Sequence, residues 1–171
     1  MNHEHYMRMA LKEAEMAMTA GEFPVGCVLV HDGQVVVRGA RQASRMDRCN
    51  ELDHAEMVAL RRLADQACTA TPREISLYCT MEPCLMCLAA LMLAGIGTVV
   101  YAYEDVMGGG AGLDFNGLPS LYAQRRPRII GGVLRRDSLQ LFQEFFANRR
   151  NDYWRGSLLA DYTLAQELTA S

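Results

Sequence analysis

Residues 75–102 read strand, helix, strand: a β-rich run at 75–79, a helical stretch from Pro83 to about Ala94 stopped by Gly95, and an apolar run at 98–102. Strands joined through a helix need a crossover connection and lie parallel in a sheet covered on both faces, which restricts the chain to an α/β architecture. The flanking segments agree with this. Met7, Ala10, Leu11, Ala14 and Met18 recur at helical spacing ahead of Gly21. Residues 25–30 and 34–37 are β-rich runs on either side of His31-Asp32-Gly33, a hairpin signature. Residues 40–52 are polar and aperiodic and read as a loop. Asp53 is placed to cap a helix over 54–64, whose apolar stripe is Ala55, Val58, Ala59 and Leu63. A last strand at 129–133 and terminal helices at 139–148 and 153–168 complete the pattern. At 171 residues the chain is expected to be one domain, 1–171, with an extra C-terminal helix at about 152–168.

Onto this frame fall two short segments, His54-Ala55-Glu56 and, with Pro83 twenty-seven residues after Glu56, Pro83-Cys84-Leu85-Met86-Cys87. Cysteines three positions apart share one helix face, and a helix start favours the thiolate needed for metal ligation. His54, at another helix start, adds a third ligand. Three protein ligands with a fourth position open is the pattern of catalytic zinc, whereas structural sites usually close with four. Zinc lowers the pKa of its bound water towards ~7, and an uncoordinated carboxylate beside it, Glu56, can move the protons. A bare Cys-x-x-Cys would read as structural; the added His, Glu and Pro at these spacings match the H-x-E…P-C-x-x-C pattern of zinc deaminases.

The other features are quieter. Cys27 and Cys79 lie in strand-like runs and read as small core residues; Cys49 and Cys68 have no partner motif, Cys49 being the one alternative ligand. His3 and His5 lie near the N-terminus and His31 in a turn, without an assigned role. The glycine-rich 108–112 lacks the lysine of a phosphate loop and the spacing of a dinucleotide fingerprint, and reads as irregular. Residues 1–11 carry His3, Glu4, His5 and Arg8, so they do not form a signal peptide, and no run has the length of a membrane span. A cytoplasmic location is expected, with reduced thiols or metal ligands rather than disulfides. The net charge is −3, yet residues 119–156 hold eight arginines against three acidic residues. That asymmetry allows a polyanion-binding face on an acidic protein, or arginines that are merely solvated.

At these residues the sequence resembles the cytidine deaminase superfamily, and within it the tRNA-specific adenosine deaminases that make inosine at the wobble position. The likeness runs over about 7–150. It includes Gly21-Glu22-Phe23-Pro24-Val25-Gly26, the segment from His54-Ala55-Glu56 to Leu60-Arg61, and Thr80-Met81-Glu82 leading into Pro83-Cys84. Phe145-Phe146 followed by Arg149-Arg150 is similar to that family's RNA-contacting C-terminal helix. The resemblance implies a three-layer α/β/α sandwich around a mixed five-stranded sheet, a homodimer, Zn2+ on His54, Cys84 and Cys87, and Glu56 as proton carrier. It implies a base pocket lined by Val25 and Ala55, with Phe146 and Arg149 on the RNA. The chain departs from the family where Gly39-Ala40-Arg41 stands in place of Gly-x-Asn, so that Arg41 faces the substrate and Asn50 is a substitute amide. The loop from there to His54 is about two residues longer, Leu113 replaces a small serine, and some twenty residues follow the usual end.

Three readings follow. The first is adenosine deamination in a tRNA anticodon loop, which suits the basic last third. The second is deamination of a free nucleobase, nucleoside or small heterocycle, which suits the acidic total charge and Arg41, a donor for a carbonyl or phosphate that adenine lacks. The third is a zinc-binding interaction protein without turnover, against which Glu56 argues.

Overall fold

Five strands form one sheet in the order β2-β1-β3-β4-β5 in a computed structural model, which describes residues 2–45, 50–66, 70–149 and 151–168. After α1 (His3–Thr19), β1 (Gly26–His31) and β2 (Gln34–Ala40) form an antiparallel hairpin. Its turn places Asp32 at φ 48° and Gly33 at φ 74°, the left-handed pair that matches strand twist in a two-residue hairpin. Then come α2 (Ala55–Asp65), β3 (Ser76–Met81), α3 (Leu85–Ala94) and β4 (Thr98–Tyr103). The chain closes with α4 (Ser120–Ala123), β5 (Arg128–Ile130), α5 (Arg135–Ala147) and α6 (Leu158–Ala165). β3 pairs antiparallel with β1 and parallel with β4, which is parallel to β5, so the sheet is mixed, as expected.

Strand alternation divides the core in two. Cys27, Leu29, Leu77, Cys79 and Val99 face the side on which Ala55 and Ala59 of α2 and Leu91 of α3 are buried. Val28, Val30, Tyr78, Val100 and Ala102 face Tyr6, Met7, Ala10 and Leu11 of α1. Helix α5 contributes Leu139 and Phe142 to the first cluster and packs Leu141 on the second. Close approach of α2 to the hairpin depends on Gly39, where a Cβ would lie 2.4 Å from the Ala55 carbonyl oxygen and 3.0 Å from Cys27 Sγ. Cys27 and Cys79 are both fully buried, in agreement with the reading of them as core residues.

The C-terminal helix is shorter than the pattern suggests. Tyr153 belongs to an irregular turn, with Trp154 at φ 58° and Gly156 at φ 70°, conformations that no α-helix tolerates. Ser157 then caps α6 by accepting from the Ala160 N–H at 3.2 Å. Residues 139–148 are helical as expected up to Ala147, but α5 begins earlier, at Arg135. β5 ends at Ile130 because Gly131 and Gly132, the latter at φ 84°, leave the extended path. Among the described residues no helix is long and apolar enough to cross a membrane.

Candidate active site

β3 delivers the chain at its carboxyl end to Pro83 and Cys84, and α3 begins at once. The carboxyl ends of parallel strands are where ligand sites collect in α/β sheets. Cys84 is the N-cap of α3 and Cys87 lies in its first turn; His54 is the N-cap of α2. Neither cap residue makes a side-chain capping bond, so both side chains are free for other work. They meet. His54 Nδ1 lies 3.6 Å from Cys84 Sγ and 3.5 Å from Cys87 Sγ, and the three donor atoms all fall within 4.8 Å of one another. A hydrogen bond from Cys87, then one from His54, holds the Cys84 thiol down to about 4, while Cys87 is raised correspondingly. One imidazole and two soft sulfurs, one a thiolate at neutral pH, form a donor set suited to zinc.

Glu56, one residue into α2, is 3% exposed. Burial raises its carboxyl above the ordinary range, opposed by its backbone bond and by His54. It faces a pocket of about 170 Å³ shared with His54 and Cys84, in which Val25 and Ala55 form part of the wall. These are the positions the sequence marks.

Arg41 also lines the pocket, and it is 2% exposed. Its Nη1 donates to the Asn50 carbonyl at 3.0 Å, and its Nη2 to Glu51 Oε2 at 3.0 Å and to the Tyr153 hydroxyl at 3.3 Å. Its Nε is a buried donor without a partner among the described residues. Asn50 is no substitute amide in the pocket: it is exposed, its side chain bonding Asp53 and the Leu52 N–H, and its carbonyl holds Arg41. Phe146 and Arg149 do not line the pocket. Phe146 is half-buried with its ring 5.9 Å from that of Phe23, and Arg149 is exposed past the end of α5. Cys49, Cys68 and Arg150 lie outside the described residues.

Several pocket residues come from outside the two motifs. Glu82 anchors the loop after β4, its two oxygens accepting from the Asp105 N–H at 3.1 Å and the Ala111 N–H at 2.8 Å. The glycine-rich stretch is thereby held beside Cys84 as an irregular loop, not a phosphate cradle, and Asp105, Met107 and Gly108 reach the pocket. From the other end of the chain come Tyr153, Trp154 and Leu159. The proline-flanked glutamate was a visible signal for Glu82; nothing local marks Tyr153.

The comparisons agree with this geometry. Residues 1–103 match the family model of the cytidine and deoxycytidylate deaminase zinc-binding region. A tRNA-specific adenosine deaminase of Agrobacterium fabrum is 35% identical over 155 residues, 86% of this chain and 96% of that protein. A structure from work on A-to-I editing by tRNA:A34 deaminases is 32% identical with a TM-score of 0.66, over 80% of this chain and 98% of that one. The guanine deaminase of Bacillus subtilis is 32% identical with a TM-score of 0.54, over 61% of this chain and 66% of that one. A zinc-binding protein without turnover is thereby set aside: the chain belongs to the cytidine and deoxycytidylate deaminase family and is a zinc-dependent, hydrolytic deaminase.

Proposed function

We propose that the protein converts adenosine to inosine at the wobble position of a tRNA anticodon loop. The observation that carries this is the convergence of His54, Cys84 and Cys87 beside buried Glu56, in a chain 35% identical to a tRNA-specific adenosine deaminase over most of both lengths. In this reading His54, Cys84 and Cys87 hold Zn2+. When bound, the metal supplies a Lewis acid that makes water a nucleophile near neutral pH. Glu56 accepts a proton from the attacking water and passes it to the ring nitrogen, then takes the proton of the new hydroxyl and passes it to the departing amine, so that adenine and water become hypoxanthine and ammonia. A carboxyl raised by burial is suited to give the proton back as well as to take it. Val25, Ala55 and Arg41 contact the base, while the flanking nucleotides lie towards the end of α5, at Arg149 and the open edge of Phe146. The chain acts as one domain, in the cytoplasm, and as a homodimer that covers the exposed Leu85 and Leu93 of α3.

A second reading, a free nucleobase or nucleoside as substrate, is favoured by one observation: Tyr153, Trp154 and Leu159 wall the pocket, next to the Arg41 Nε, a donor without a partner among the described residues. Ammonia release separates the two. The zinc-loaded protein is given an anticodon stem-loop with adenosine at the wobble position and, in parallel, a panel of free bases and nucleosides. Turnover of the stem-loop is expected; turnover of a small molecule alone would replace the first reading with the second.

A further inference from the structure

The segment after α5 is held in two unequal ways. Its α6 end is docked on the domain: the Tyr162 hydroxyl donates to Glu104 at 2.7 Å, and the Tyr103 and Thr163 hydroxyls lie 3.1 Å apart. Gln143 donates to the carbonyls of Thr163 at 3.1 Å and Gln166 at 2.8 Å, with Leu159, Ala160 and Thr163 buried. The turn 151–157 reaches the other side of the pocket through the Tyr153 side chain, whose hydroxyl accepts from Arg41 Nη2 at 3.3 Å. The Tyr153 hydroxyl donates to Glu51 Oε2 at 3.0 Å, the same oxygen that accepts from Arg41, and the Tyr153 ring packs 5.3 Å from Phe23. Beside it Trp154 occupies the left-handed region at φ 58°, unfavourable for a residue with a β-carbon. Segments with few buried contacts open before those with many, so this turn is set to yield while α6 stays docked.

We propose that Tyr153 and Trp154 are specificity-determining residues: turn 151–157 is a wall across the base pocket, latched to Glu51 and Arg41, that limits what the entering base carries. This rests on the reading that the base enters beside His54 and Glu56. A detached base or nucleoside leaves at most one substituent to accommodate. A base within RNA brings backbone away from the pocket in two directions, and one of them must pass the wall. With the latch closed the pocket favours the smaller molecules; with it open, a splayed-out loop base gains access. Arg41 is built to survive the change. When Tyr153 leaves, the Arg41 guanidinium keeps Glu51 and the Asn50 carbonyl, and its Nε–H, unpartnered among the described residues, becomes available to an acceptor on the substrate.

Trp154 is the only tryptophan of the chain, so its emission reports the wall without any substrate. The test uses full-length, zinc-loaded protein with Tyr153→Phe, which keeps the ring against Phe23 and removes the hydroxyl, and with Trp154→Ala at a 41% exposed position. Acrylamide quenching of Trp154 is measured in wild type and Tyr153→Phe. The kcat/KM is measured for the amino-bearing base that the enzyme accepts, as free base, nucleoside, trinucleotide and stem-loop. The expected result is stronger quenching in Tyr153→Phe and, in both variants, a size profile moved towards the larger substrates by about tenfold, the scale of a pocket-wall contact. Unchanged quenching would remove the latch, and an unchanged profile would remove the size filter. If no variant acts on the stem-loop but the profile still shifts from nucleoside to trinucleotide, the wall stands and the tRNA reading falls.

Discussion

Glu56 and Cys87 are neighbours in space with different work, and their replacements separate the two. Glu56→Gln keeps shape and burial but cannot take a proton, so kcat should fall by about 10² to 10⁴ with zinc content intact. Metal analysis and ammonia release on one preparation check this, and near-normal turnover would take the proton from Glu56. Cys87→Ala should lose the metal as well as turnover; a full complement of zinc would break the ligand assignment. These residues were legible because helix-start ligands three positions apart, and a carboxylate two after a histidine, are local patterns. Arg41 was legible only as an oddity. Its partners Glu51 and Tyr153 lie on separate segments, and the contact with Tyr153 spans 112 positions, a separation at which no local pattern operates. Phe146 shows what a residue type alone leaves open: its ring lies 5.9 Å from that of Phe23, a contact no local pattern announces.

At the level of elements, the strands and helices that carry periodicity were readable, and so were their ends where a glycine or proline marks them, as at Gly95 after α3. The last helix was misjudged at its start, because Trp154, Leu158 and Tyr162 follow one another at intervals of four across a backbone that turns at Trp154 and Gly156. What docks α6 is chemistry between elements. Glu104, 29% exposed, accepts two bonds from Arg135 and one from the Tyr162 hydroxyl. Burial alone would raise the Glu104 carboxyl, but Arg135 and Tyr162 more than reverse this and hold it below its ordinary value. A carboxylate lowered in the folded state stabilises above its unfolded pKa of about 4.3, and that stability is lost as pH falls through the folded value. Glu104→Gln should therefore lower Tm at pH 7, with the gap to wild type closing on acidification. Screening at this partly exposed pair limits the effect to on the order of 1 kcal/mol. Melts showing a constant gap from pH 7 to pH 3 would contradict it.

Over the whole molecule, the sequence shows where the arginines are but not how they are spent. Of the eight arginines at 119–156, Arg125 donates to a backbone carbonyl, Arg126 lies 4.6 Å from the Phe115 ring centroid, Arg135 pairs with Glu104, and Arg155 pairs with Asp152. That leaves far fewer for phosphates than the count in the basic third suggests. If tRNA is the substrate, its affinity should fall with salt with a log–log slope of about −2 to −4, as for a handful of phosphate contacts. Anisotropy titrations with a labelled stem-loop measure it; a slope near zero would exclude phosphate recognition. The wall over the pocket has one further consequence, for the order of synthesis. All five strands and every proposed metal ligand precede residue 151, so on the ribosome the metal-binding end of the sheet is made before its cover. A metal ion arriving during translation meets an open vestibule; one lost from the finished protein must be replaced through a doorway that Tyr153 and Trp154 have since narrowed.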